Sequence, residues 1–72
     1  MELIEYTTKE RLSRETAAER LRRLADQLSR HNQVAFSRDG RRYTVDVPAE
    51  VELTLEVEIG DTKSEIEIEI GW

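Results

Sequence analysis

Apolar and polar residues alternate with a period of two along the last third of the chain. Val51, Leu53, Leu55, Val57 and Ile59 occupy odd positions, while Glu50, Glu52, Thr54, Glu56 and Glu58 occupy even ones. Ile66, Ile68, Ile70 and Trp72 then resume the alternation on even numbers. Successive strand side chains point to opposite faces, so the pattern predicts two strands, each with one apolar and one acidic face. The switch of phase limits how they can pair. A two-residue turn at Gly60-Asp61 sets Leu55 opposite Ile66, Leu53 opposite Ile68 and Val51 opposite Ile70, whereas a longer loop sets Trp72 opposite Val51. Both registers keep apolar against apolar, and a slip of one residue destroys the match.

The same alternation predicts a second hairpin upstream. Val34 and Phe36, then Tyr43, Val45 and Val47, flank Asp39-Gly40, a pair that tolerates the positive φ angles of a type I′ turn and places Phe36 opposite Tyr43 and Val34 opposite Val45. Pro48, with no N–H to donate, ends that strand. Between residues 13 and 32 the period is helical: Ala17, Leu21, Leu24, Ala25 and Leu28 form one apolar stripe, with Glu15, Glu19, Arg23, Asp26 and Arg30 on the other side. Ser13 is the expected N-cap, with Leu12 packing on Ala17 as a staple, and Glu15 suits the positive end of the helix. Glu19 to Arg23, Arg22 to Asp26 and Asp26 to Arg30 are four residues apart and are expected to pair. His31 and Asn32 mark the end, Asn32 being suited to a left-handed residue there. Ile4, Tyr6 and Thr8 alternate with Glu5 and Thr7, which predicts a short strand over residues 1–8.

These elements predict one α+β domain over residues 1–72, in the order β-α-β-β-β-β. The single N-terminal-half helix packs on one face of an antiparallel β-sheet of four to five strands, since neither stripe nor sheet can otherwise bury its apolar side. The glutamates of the tail are then left in water. Such a small domain, expected to bury about 60% of its unfolded surface, has little room for a deep substrate cavity.

Charge and composition sharpen this picture. The net charge of −5 divides into +2 over residues 1–47 and −7 over residues 48–72, so the folded domain presents an acidic sheet face beside a mildly basic remainder. There is no cysteine, which removes disulfides, thiolate nucleophiles and thiolate metal sites. No apolar run is long enough to span a bilayer, and the N-terminus lacks the pattern of a signal peptide, so the expectation is a soluble cytoplasmic protein without membrane contact.

The run from Ser13 through Arg14, Glu15, Thr16, Ala17, Ala18, Glu19, Arg20, Leu21, Arg22, Arg23, Leu24 and Ala25 to Asp26, followed by an amphipathic tail that stops at Trp72, resembles the amphi-Trp domain proteins of archaea and bacteria. The resemblance covers essentially the whole chain. It implies no activity and no catalytic residues. Many members come from halophilic archaea, so the resemblance also implies a salt-rich habitat; nine arginines against two lysines beside abundant glutamate fit that setting or a GC-rich genome. Gly71 departs from the charged residue that members usually carry before the final Trp.

Candidate chemistry is sparse. A catalytic base or nucleophile usually needs His, Cys or a buried carboxylate beside a polar partner. This chain has one histidine, at the expected helix end, and carboxylates on expected solvent faces, so it reads as no enzyme, with no cofactor and no metal site. Arg38, Arg41, Arg42 and Tyr43 surround the Asp39-Gly40 turn and form the candidate nucleic-acid contact, through guanidinium on phosphate and a ring on a base. Glu52, Glu56, Glu58, Glu65, Glu67 and Glu69 form the candidate interaction face for a protein partner. Edge strands offer pairing with a second copy in a homo-oligomer. Trp72 continues the apolar phase, so it is expected to lie over the core, or else to stand out as a binding anchor. The preferred reading is a protein-interaction or self-association module, with weak nucleic-acid binding as the alternative.

Overall fold

In the computed structural model residues 4–72 are described. They form one helix, α1 (Arg14–Arg30), and four strands, β1 (Gln33–Arg38), β2 (Arg41–Asp46), β3 (Glu52–Ile59) and β4 (Ser64–Gly71). The α+β class and the antiparallel pairing follow the periodicities. The layer does not. β1 pairs only with β2 and β3 only with β4, giving two two-stranded sheets in place of one sheet of four to five strands. The connection Val47–Val51 carries Pro48, which has no donor, and no ladder joins β2 to β3.

The helix starts as expected. Ser13 is extended, its Oγ accepts from the Thr16 N–H at 3.1 Å, and its hydroxyl donates to Thr16 Oγ1 at 2.9 Å. Such a cap contributes about 1 kcal/mol. The C-terminus also falls where expected, at His31, but without a left-handed residue: His31 is extended (φ −133°, ψ 152°), and its N–H donates to the Gln27 carbonyl at 2.9 Å. Asn32 is not left-handed, because the chain must run straight into β1. On the outer side Glu19 reaches both Arg22 and Arg23 at 4.0 Å, so Arg22 turns toward Glu19 rather than Asp26.

Strand β1 is fastened to the helix by a side chain the apolar pattern does not reveal. Gln27 Oε1 accepts from the Ala35 N–H at 3.2 Å, and Val47 N–H donates to the Asn32 carbonyl at 2.7 Å, closing the far end of the hairpin. The β1–β2 register matches expectation, with Phe36 opposite Tyr43 and Val34 opposite Val45. Asp39 (φ 52°) and Gly40 (φ 74°) supply the two left-handed residues of the turn.

The predicted N-terminal strand is not formed over residues 4–8, and its first three residues lie outside those described. Tyr6 packs its ring on Phe36, centroids 4.8 Å apart, and Arg38 Nη1 donates to the Glu5 carbonyl at 2.9 Å. The segment is therefore held by side chains across β1, which leaves its backbone without a ladder partner. Glu10 pairs with Arg20 at 2.9 Å, an exposed contact that contributes little.

The second hairpin takes the longer-loop register. Leu53 faces Ile70, Leu55 faces Ile68 and Val57 faces Ile66, joined by the four-residue loop Gly60–Lys63. The Gly60 N–H donates to the Lys63 carbonyl at 3.0 Å. A Cβ on Gly60 would lie 2.7 Å from that same carbonyl oxygen, so the close approach requires glycine.

Candidate interaction surface

Where the apolar side chains end up is the main departure from the sequence expectation. Among the described residues no side chain is fully buried. The half-buried positions concentrate in the helix and first hairpin: Ala18, Gln27, Leu28, Val34, Ala35, Phe36, Tyr43 and Val47. In β3–β4 only Ile70 and Gly71 reach that level. Leu53 is 67% exposed, Leu55 65%, Ile59 84% and Ile66 69%, so the aliphatic face expected beneath the helix is open over most of its length. The helix contributes only three leucines and its alanines to any cover, too few for both hairpins.

At the base of that face the helix and both hairpins border a common groove, without β3 or β4 packing closely on α1. Leu21, Leu24 and Leu28 of the helix, the valines of the first hairpin, and Ile68, Ile70 and Trp72 line an apolar groove of about 350 Å³. Trp72 lies at its rim and is 63% exposed, so it does not close a core. The rest of the face, from Leu55 to Ile59 on β3 and including Ile66 on β4, runs beyond the groove.

The opposite face of this hairpin carries the six glutamates. Glu56 stands directly across from Glu67 and Glu58 from Glu65, while Glu69 faces Thr54 and Glu52 faces Gly71. Lys63, in the loop, has no cross-strand glutamate in this register. Like charges directly opposite one another are destabilising, so the acidic face costs the hairpin stability and keeps that side in water. Among the described residues no group of three His, Asp or Glu side chains is arranged to hold a metal ion.

The arginine cluster is divided by the pleat. Arg38 and Arg41 are cross-strand partners beside the turn, on the face of Phe36 and Tyr43, whereas Arg42 is paired with Ser37 on the other face. Arg38 is further engaged by Asp39 at 3.7 Å and by the Glu5 carbonyl. The Tyr43 ring stacks on Phe36, centroids 5.4 Å apart and planes 17° from parallel, which covers one face of the ring. His31 lines a shallow polar depression with Gln27, Asn32, Gln33, Arg42 and Thr44. No helix among the described residues is long and apolar enough to cross a membrane.

With this geometry in place the relationship of the chain is clear. The family model of the Amphi-Trp domain matches residues 1–72, so the chain belongs to that family. No curated protein and no solved structure was found to match it.

Proposed function

For this Amphi-Trp domain we propose a non-catalytic interaction module whose docking surface is the apolar face of β3–β4, with Trp72 at its edge. The observation that carries the reading is the exposure of that face: Leu53, Leu55, Val57, Ile59, Ile66 and Ile68 are all half exposed or more. Contiguous apolar surface of this kind marks a place where another surface belongs. The glutamates on the reverse side keep the hairpin oriented, apolar side inward to the partner and charged side to water. A cytoplasmic location is part of this reading, and the arginine and glutamate bias supports a salt-rich setting.

The test is the accessibility of the methyl groups at Leu53, Leu55, Ile66 and Ile68 to a soluble nitroxide, read by NMR on the full chain at high dilution. Strong broadening is expected at these four and weak broadening at Leu28. Shielding of all four in a chain that sediments as a monomer would mean that the helix covers the face, and would overturn the docking reading.

A further inference from the structure

We propose that the occupant of the β3–β4 face is a second copy of this chain, the two hairpins stacked apolar side to apolar side with their glutamates outward. The inference rests on the docking reading above and adds the identity of the partner. Its first support is area. A folded monomer of 8.4 kDa is expected to expose about 4,600 Å², and this chain exposes 7201 Å². The excess, about 2,600 Å² per chain, is spread over the whole molecule, including the exposed residues 4–13, and the β3–β4 face contributes only part of it; a standard interface needs about 800 Å² from each partner. The radius of gyration agrees: 14.2 Å, where a chain of this length packs to about 11 Å. The β3–β4 part of that surface is what a second copy would hide.

The second support is the chemistry of the face. No part of the chain other than another β3–β4 hairpin offers a comparable run of branched aliphatic side chains. Self-pairing about a two-fold axis matches Leu55, Val57, Ile66 and Ile68 with their own kind, all of which the register places on one face.

Charge then selects face-to-face stacking over edge-to-edge pairing. Sheets stack about 10 Å apart, so the outward glutamates of two stacked hairpins stand about 20 Å from each other, more than two screening lengths at physiological salt. Edge pairing would instead extend one glutamate ladder with another at strand spacing, where opposed carboxylates repel. The same acidic side disfavours an anionic lipid surface as the occupant.

The experiment is sedimentation equilibrium of the full chain from low micromolar to millimolar concentration, with and without phosphatidylcholine vesicles. It is paired with isotope-filtered NOEs in a mixture of labelled and unlabelled chains. The expected result is a species of twice 8.4 kDa that ignores the vesicles, with intermolecular NOEs among the Leu55, Ile66 and Ile68 methyls. Leu55→Lys with Ile66→Lys should weaken association by about 100-fold or more, and Glu56→Lys on the outer face should leave the dimer intact. The NOEs need no variant, so a misfolded lysine double variant does not blunt the test. A monomer at every concentration with these methyls open to nitroxide overturns self-pairing and leaves the docking surface standing; a monomer with them shielded overturns both. Co-sedimentation of monomer with the vesicles, or a dimer whose NOEs arise only from β1–β2, overturns self-pairing as well.

Discussion

Phe36 in the first hairpin packs against a tilted Tyr6 ring and stacks on Tyr43, while Leu55 at the middle of the second is 65% exposed. Both hairpins are antiparallel, both alternate apolar with polar residues, and both end in turns whose residues suit them. They differ in what their own chain places over them. The first has the helix, fastened through Gln27 to the Ala35 N–H, and the N-terminal segment crossing at Tyr6. The second is longer and more regular, yet it shares with the helix only the groove bordered by Ile68, Ile70 and Trp72. The lesson is that a strand pattern states which side wants to be buried without naming the partner. A helix with three leucines can serve one short hairpin, and an eight-residue hairpin then has to look elsewhere.

This contrast can be broken from either side, and the largest effect is expected in the first hairpin. Phe36→Ala removes the ring that joins the N-terminal segment to β1 and β2, and should cost about 2–4 kcal/mol, the lower end reflecting its partial exposure. Amide exchange should accelerate through β1, β2 and the end of α1, while β3–β4 retains its protection. Equal loss in both hairpins would show that they do not behave as separate units. Gly60→Ala tests the other half. Its Cβ would press on the Lys63 carbonyl, and relief by loop distortion should cost about 1–3 kcal/mol. Exchange should rise in β3–β4 alone, with the helix amides unchanged. The smallest effect is expected on the outer face, where Glu67→Lys replaces repulsion with Glu56 by attraction. A gain of about 0.2–1 kcal/mol should appear as a raised melting midpoint that shrinks as salt is added. A midpoint that falls, or a gain indifferent to salt, would mean that the outer face is not simply solvated.

Much of the local structure was legible in the residues. The Ser13 cap, the helical stripe, the Asp39-Gly40 turn and the alternation on all four strands each rest on interactions within a few residues or on a fixed side-chain period, and each appears in the fold. Gln27 was not legible, because a polar residue on the helix signals nothing until Ala35 passes beside it. The N-terminal alternation of Ile4, Tyr6 and Thr8 was legible but misleading. Its residues suit a strand, and no free edge meets them. The candidate arginine site was legible only as a cluster, and the pleat then turned Arg42 away from Arg38 and Arg41.

Sequence by itself determined the helix and the four strands from Gln33 onward, their order, and the separation of apolar from acidic side chains in the tail, since these follow from the two periods written into it. Only the folded chain decided between the two hairpin registers, because both keep the aliphatic residues of β3 opposite those of β4, even though Glu58 meets Glu65 in place of Lys63. The choice fell to the Gly60–Lys63 loop closure, with its single N–H to carbonyl bond. It also decided that the branched aliphatic face stays open. Burial depends on how much apolar surface the rest of the chain can bring to the same place, and that quantity is set by packing in three dimensions rather than by the order of residues along one strand.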